Sequence, residues 1–289
     1  MANLKEIRIR IGSVSSTMQI TSAMKMVSAA KLKKAQDAIT AMRPYSNKLS
    51  ELMKSLSGSS GDKLYSQKRE IKNVLVIAIS SNRGLCGAFN ANIFKEITNF
   101  KSKDEFKNTN IDFLTIGKKI NDSLSKNENV IQNDSELFDN LNYENVSLIA
   151  EKLMSLFLDQ NYDHIELIYN SFKNAATQII RSEQFLPIPL NESKTSDSLD
   201  YIFEPSQDSI ISTLIPKSLK MQLFKAIRDS FASEHGARMT AMHKATDNAS
   251  ELRDELKLTY NKARQASITN EILEIVGGAE ALNLSLIHI

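Results

Sequence analysis

The residue types that could do chemistry gather in one segment of this 289-residue chain, Ser80-Ser-Asn-Arg-Gly-Leu-Cys-Gly-Ala-Phe-Asn90. It follows Asn73-Val-Leu-Val-Ile-Ala-Ile-Ser80, which reads as a buried strand. That is where a doubly wound fold binds phosphate. Gly84 and Gly87 would bring backbone N–H groups to an anion, and Arg83 would add charge. The spacing is nonetheless neither Gly-x-Gly-x-x-Gly nor Gly-x4-Gly-Lys-Ser/Thr, and no acidic residue closes the next strand to hold a ribose. The segment therefore reads as a tight strand-to-helix turn, with a nucleotide-binding α/β enzyme as the alternative. Cys86 has no histidine near it in sequence, and His235 and His243 lie too far apart on a helix to chelate one metal. No catalytic residue, cofactor site or metal site is assigned.

Two other segments carry polar residues where an ordinary helix seam would not place them. Met24-Lys25-Met26-Val27 puts methionines and a lysine around a helix where its apolar seam lapses. Arg264-Gln265-Ala-Ser-Ile-Thr269-Asn-Glu271-Ile-Leu-Glu274 presents several long polar groups at a helix surface. The bland alternative for both is a solvated face.

The elements carrying these segments are unusual in length. Residues 1–57 contain no glycine except Gly12 and no proline except Pro44, and residues 217–276 contain only Gly236. As continuous helices they would run roughly 85 and 90 Å at about 1.5 Å per residue. A compact domain of this mass is nearer to about 45 Å across, so the helices are expected to project as a rod. Positions 4, 7, 11, 14, 18, 21 and onward to 56 keep a strict 3-4 spacing in which twelve of sixteen residues are apolar, a coiled-coil seam. The seam weakens at Thr21, Lys25 and Ser28, which predicts something other than a Leu-rich partner helix there. Pro44 should kink the helix. In the second helix, Met221, Phe224, Phe231, Met242, Ala245, Ala249, Leu252, Leu256, Ala263, Ala266 and Leu273 share one register, interrupted by Arg228, His235, Arg238, Thr259 and Asn270. Pro216 suits its first turn; Gly277-Gly278 would interrupt or end it, with Ala279-Glu280-Ala281-Leu282 adding a further turn.

Between the helices, short apolar runs alternate with helical ones. Strands are expected at 73–80, 111–116, 130–131, 164–169 and 177–190, with helices at 90–101, 118–125 and 144–160. This order predicts a three-layer, Rossmann-like α/β domain with a mostly parallel sheet and an antiparallel last strand. The boundaries are 1–58 for an N-terminal coiled-coil helix, 70–205 for the central domain and 209–289 for a C-terminal coiled-coil helix. Residues 191–208 read as a loop.

Net charge is +2, unevenly spread. Residues 1–57 hold ten Lys/Arg against three acids, a balance of +7; residues 217–286 balance at +1 and the middle at −6. A basic helix beside an acidic body suggests an acidic partner surface or nucleic acid, and the acidic domain argues against the latter. The lone cysteine excludes an internal disulfide and fits a reducing compartment. No apolar run approaches the roughly 20 residues needed to span a bilayer. The N-terminus lacks a signal or transit pattern, so the chain is expected on the cytosolic side.

Three blocks, Ile20-Thr-Ser-Ala-Met-Lys-Met-Val-Ser-Ala-Ala-Lys-Leu32, Ser81–Asn90, and Arg264–Ile272 with Gly277-Gly-Ala-Glu-Ala-Leu282, resemble in order and spacing the gamma-subunit family of F-type ATP synthases. The resemblance covers both helical ends and the first βα unit; the middle matches only in its order of elements. It implies two terminal helices paired antiparallel inside a ring of three alpha and three beta subunits. The α/β domain would lie against the epsilon subunit and the membrane c ring. Such a chain is a rotor shaft coupling ion-driven rotation to ATP synthesis, with no nucleotide, cofactor, catalytic residue or nucleic acid of its own. It would touch the membrane only through the c ring, on the cytoplasmic face of a bacterial plasma membrane. By resemblance, Lys25 beside Met24 faces an acidic loop of a beta subunit. Arg264 and Gln265 reach the beta-subunit loop that grips the shaft, and Thr269, Glu271 and Glu274 support the helix pair. Tyr201 and Glu204 belong to the foot segment near the c ring.

Overall fold

The computed structural model describes residues 4–56, 63–67, 69–107, 109–188, 204 and 206–287. Two compact units emerge, one from Val27 to Ala241 and one from Met1–Met26 with Met242–Ile289.

The larger unit holds a five-stranded sheet. Its strands are β1 (Asn73–Ile79), β2 (Asn110–Ile116), β3 (Val130–Asn133), β4 (His164–Phe172) and β5 (Gln178–Leu186), in spatial order β3-β2-β1-β4-β5. β1 is parallel to β2 and β4, β2 to β3, and β5 runs antiparallel to β4. Strands, helices and topology follow the sequence pattern to within a few residues at each boundary. Strand β1 is buried on both faces, from Val74 to Ile79, because helices cover each side. On one face α3 (Phe89–Lys101) and α4 (Lys118–Leu124) pack through Phe89, Ile93, Ile97 and Ile120. On the other, α5 (Tyr143–Leu158) packs through Val146, Ala150, Leu153 and Phe157. The long C-terminal helix α6 (Gln207–Ile287) joins it there with Ile211, Ile215, Leu219, Leu223 and Ile227.

Helix α6 begins at Gln207, not near Pro216, so the expected loop is shorter at its C-terminal end and the proline sits inside the helix. A proline in a helix interior costs about 3 kcal/mol. Ile211 and Ile215, 2 % and 0 % exposed, lie in the turns before it and each contributes roughly 1.5–3 kcal/mol by burial. Together they outweigh the break. Gly277 and Gly278 do not end the helix either: it runs on to Ile287, through Ala279-Glu280-Ala281-Leu282, residues of high helix propensity. The N-terminal helix α1 (Leu4–Leu56) likewise continues through Pro44. A short helix, α2 (Lys63–Ser66), follows it.

Every described α1 residue that is buried lies on the predicted seam: Ile7, Thr21, Ser28, Leu32, Ala35, Ile39, Ser46 and Leu49. In α6 the predicted register holds at Met242, Ala245, Ala249, Leu256 and Ala263 and fails at Leu252, Ala266 and Leu273. Leu252 and Leu273 are 39 % and 63 % exposed, whereas Arg253, Tyr260 and Ser267, one residue off the register, are partly covered. A 3.5-residue repeat drifts by about 20° per heptad on a 3.6-residue helix, so the facing stripe advances by one residue after several heptads.

The connection from β2 to α4 offers a direct test of this architecture. Gly117 has φ +114°, and a Cβ there would stand 2.3 Å from the Ser80 carbonyl oxygen. Gly117→Ala is expected to destabilise the chain by more than about 2 kcal/mol, read from the urea unfolding midpoint; a change under about 0.5 kcal/mol would show that the turn relaxes freely.

Candidate functional site

In the smaller unit, residues 4–26 of α1 pair antiparallel with α6 from Met242 to about Ser267. Thr246 Oγ1 donates to Thr21 Oγ1 at 2.8 Å, Arg253 Nη1 reaches the Met18 sulfur at 3.6 Å, and Arg8 Nη2 donates to the Tyr260 hydroxyl at 3.1 Å. The lapse in the seam at Thr21 is thus filled by α6 after all, through a hydroxyl pair in place of leucines. A cleft of about 800 Å³ opens between the helices, bordered by Leu4, Ile7, Thr259, Lys262, Glu271 and Glu274.

The residues singled out in the sequence fall into two groups. Arg264, Gln265, Thr269, Glu271 and Glu274 are all exposed on one stretch of α6, and Thr269 Oγ1 donates to the Gln265 carbonyl at 2.9 Å, inside its own helix. Met24 and Lys25 are half-covered on α1. With Thr21 opposite Thr246 and Arg8 opposite Tyr260, the antiparallel pairing sets these groups roughly 30 Å apart along the helices at about 1.5 Å per residue. They form two stations, not one site. Beyond Ser267 every described side chain to Glu280 is exposed, including Ile268, Ile272, Leu273, Ile275 and Val276. Tyr201 lies outside the described residues, and Glu204 is exposed.

In the larger unit, the turn after β1 is held by its own side chains. Ser81 N–H donates to Asn90 Oδ1 at 3.1 Å, Asn82 Nδ2 donates to the Ser135 carbonyl at 2.7 Å, and the Lys118 N–H donates to Asn82 Oδ1 at 3.0 Å. The turn directs carbonyls, not N–H groups, at its neighbour: Arg238 Nη2 of α6 donates to Arg83 O at 2.9 Å and Gly84 O at 3.3 Å. Such a turn grips a cation and does not cradle a phosphate. Cys86 is buried there, and burial raises its thiol pKa, which opposes a nucleophilic role.

Arg238 also forms a buried ion pair with Glu234, Nη1 to Oε1 at 2.5 Å. Burial raises the Glu234 pKa, and the guanidinium pulls it back down. His235 beside them is pushed down to about 4, by burial first and then by Arg238 and Lys31. The next residue, Gly236, lets α6 approach the β4–β5 connection; an added Cβ would stand 3.2 Å from Ala175 backbone atoms. Thr240 Oγ1 donates to the Ala175 carbonyl at 3.1 Å. Sequence reasoning did not foresee this polar set, although His235 and Arg238 stood out as breaks in an apolar register.

The sequence profile of the family described as ATP synthase matches residues 3–282. A protein of Christiangramia forsetii named ATP synthase gamma chain is 67 % identical over 286 residues, covering 98 % of this chain and all of its own length. The chain belongs to the ATP synthase gamma-chain family. The gamma chain of Flavobacterium johnsoniae is 66 % identical over 287 residues, with 98 % of this chain and 100 % of the relative covered. Among solved structures, a chain of the rotor of Euglena gracilis mitochondrial ATP synthase matches with a TM-score of 0.67 at 18 % identity, covering 92 % of this chain and 98 % of that one. One from the central stalk and c ring of the Tetrahymena thermophila enzyme matches with 0.59 at 23 %, covering 78 % and 99 %. Both share the fold.

Arg238→Ala leaves Glu234 buried without its cation and is expected to cost about 3–5 kcal/mol, part of which Glu234→Gln should restore; a double-mutant unfolding cycle checks it. His235 contributes a pH slope as well. Its folded-state pKa near 4 lies below the ordinary 6.5, so its contribution is complete above pH 6.5 and is lost as pH falls toward 4, when the unfolded chain takes up the proton first. Glu234 and Asp229, raised by burial, act in the opposite sense over the acidic range. His235→Gln should therefore flatten the acid-side loss by on the order of 1–3 kcal/mol, measured by urea midpoints at pH 7 and pH 5.

Proposed function

We propose that this gamma chain is the rotor shaft of an F-type ATP synthase, coupling ion-driven rotation of the membrane c ring to ATP synthesis in a hexamer of alpha and beta subunits. The observation that carries the reading is the family match over residues 3–282. The pairing of α1 with α6 supports it: a shaft needs two helices that brace one another along their length. The chain itself is non-catalytic in this reading. The turn with the chemistry-bearing residues is occupied by Arg238 of its own helix, which leaves no phosphate cradle.

The two stations on the helix pair then serve as contacts to the beta subunits. Met24 and Lys25 meet an acidic loop, and Arg264 and Gln265 meet the loop that grips the shaft, with Thr269, Glu271 and Glu274 supporting the pair. Charge fits this, since residues 1–57 carry +7 and attract an acidic surface. Interactions of this kind differ with rotor angle, and such differences are what shift a catalytic site between conformations. The sequence from Ala281 to His288, whose side chains lie outside the described residues, carries no fixed side-chain charge and suits a surrounding apolar collar. Tyr201 and Glu204 belong to the foot at the c ring, beside the epsilon subunit. No helix among the described residues is long and apolar enough to cross a membrane. In the rotor reading the chain is peripheral, on the cytoplasmic face of a bacterial plasma membrane.

Co-purification with alpha and beta subunits, at one copy per hexamer, tests the assignment; a chain that never accompanies the hexamer would refute it. Within the assembled complex, Arg264→Ala together with Gln265→Ala is expected to impair ATP synthesis in reconstituted vesicles more than it impairs assembly. Wild-type synthesis would remove both residues from coupling.

A further inference from the structure

Within the 27–241 unit, one face of α6 carries Phe224, Arg228 and Phe231, and all three meet the segment of residues 138–143 that leads into α5. Tyr143 stands edge-on to Phe224 with ring centres 5.7 Å apart, and Phe138 stacks on Phe231 at 6.1 Å. Arg228 lies between these pairs. Its guanidinium sits 5.0 Å from the centre of the Phe224 ring, and Nη2 donates to the Leu141 carbonyl at 2.8 Å. Its Nε is buried with no partner among the described residues.

A guanidinium offers five donors. Withdrawing it from water for one backbone bond contributes little to folding, because desolvation offsets most of the gain. What the arrangement does supply is direction. The neighbouring ridge of Leu219, Leu223, Ala226 and Ile227 holds α6 against the sheet by apolar packing, whose shape sets the helix in place but whose driving force carries no bond direction. A hydrogen bond has one, and a bond made off the helix axis resists rolling about it. The Phe224 ring beside it steadies the planar guanidinium, which a flexible ammonium would not match equally.

We infer that Arg228, seated between Phe224 and Phe231, is a positioning residue that locks the roll of α6 against the α/β domain, so that torque applied to the domain turns the helix. The inference rests on the rotor reading above and names one contact through which that rotation enters α6, beside the bonds of Arg238 and Thr240 to the same domain.

The test uses the complete ATP synthase carrying Arg228→Met, which keeps the stem over Phe224 and removes every donor. Arg228→Lys keeps a donor without the planar fork. Assembly at one copy per complex and ATP hydrolysis by hexamers detached from the membrane should be unchanged. Protons pumped per ATP hydrolysed in vesicles should fall at least about twofold for Arg228→Met, the lower end of what coupling residues contribute, with Arg228→Lys in between. A wild-type pumping ratio in assembled Arg228→Met complexes overturns the inference. So does an equal loss in detached hexamers, which would mark a purely structural role. If Arg228→Met does not assemble, the ratio in Arg228→Lys complexes decides: a lowered value supports the lock, and a wild-type value overturns it. Failure of the rotor reading itself would look different, because the unsubstituted chain would then not accompany the hexamer.

Discussion

From Ala226 to Arg238 every side chain of α6 is buried or half-buried. The helix packs at once on the sheet's core through Ala226 and Ile227 and on α1 through Ala232, which meets Leu32, Ala35 and Ile39. A helix covered all round is ordinarily apolar throughout. This one reads Ala-Ile-Arg-Asp-Ser-Phe-Ala-Ser-Glu-His-Gly-Ala-Arg, so its polar groups must find partners within the protein. Most do. Glu234 pairs with Arg238, Arg238 reaches two backbone carbonyls, Asp229 accepts from Ser171 Oγ, and Arg228 donates to Leu141. The remaining architecture of the unit follows from satisfying this one stretch.

Those partners lie on connections that leave the carboxyl ends of three strands: 83–84 after β1, 141 after β3, and 171–175 at the end of β4. In open α/β sheets these connections surround the crevice where a ligand binds. Here they hold a helix of the same chain. Gly87 of the Ser80–Asn90 turn serves geometry there: it has φ +60°, a conformation glycine adopts without strain.

Much of this was legible in the sequence, for identifiable reasons. The sheet order follows from short apolar runs alternating with helical ones, and the seam of α1 from a 3-4 repeat whose every buried member the structure places inward. The start of α6 at Gln207 falls within two residues of the expected boundary at 209, but the place of Pro216 inside the helix is not legible locally, because Ile211 and Ile215 before it are buried by strands and helices from distant parts of the sequence. The polar set around Glu234 was visible only as interruptions, because a register shows where a charge breaks a pattern and not which carbonyl will receive it. The slip after Ala249 was hidden for a related reason: alanines and threonines mark either of two adjacent stripes equally well.

The participation of α6 in the sheet's core also sets the order in which the chain is made and completed. Ile211, Ile215, Leu219, Leu223 and Ile227 cover one side of β1 and β4, yet they leave the ribosome after all five strands. At about 5–20 residues per second, translation of residues 187–227 holds that apolar face open for a few seconds. Nascent chains halted near Leu186 are therefore the species in which this protein is sticky, and binding by a chaperone is best timed to that interval.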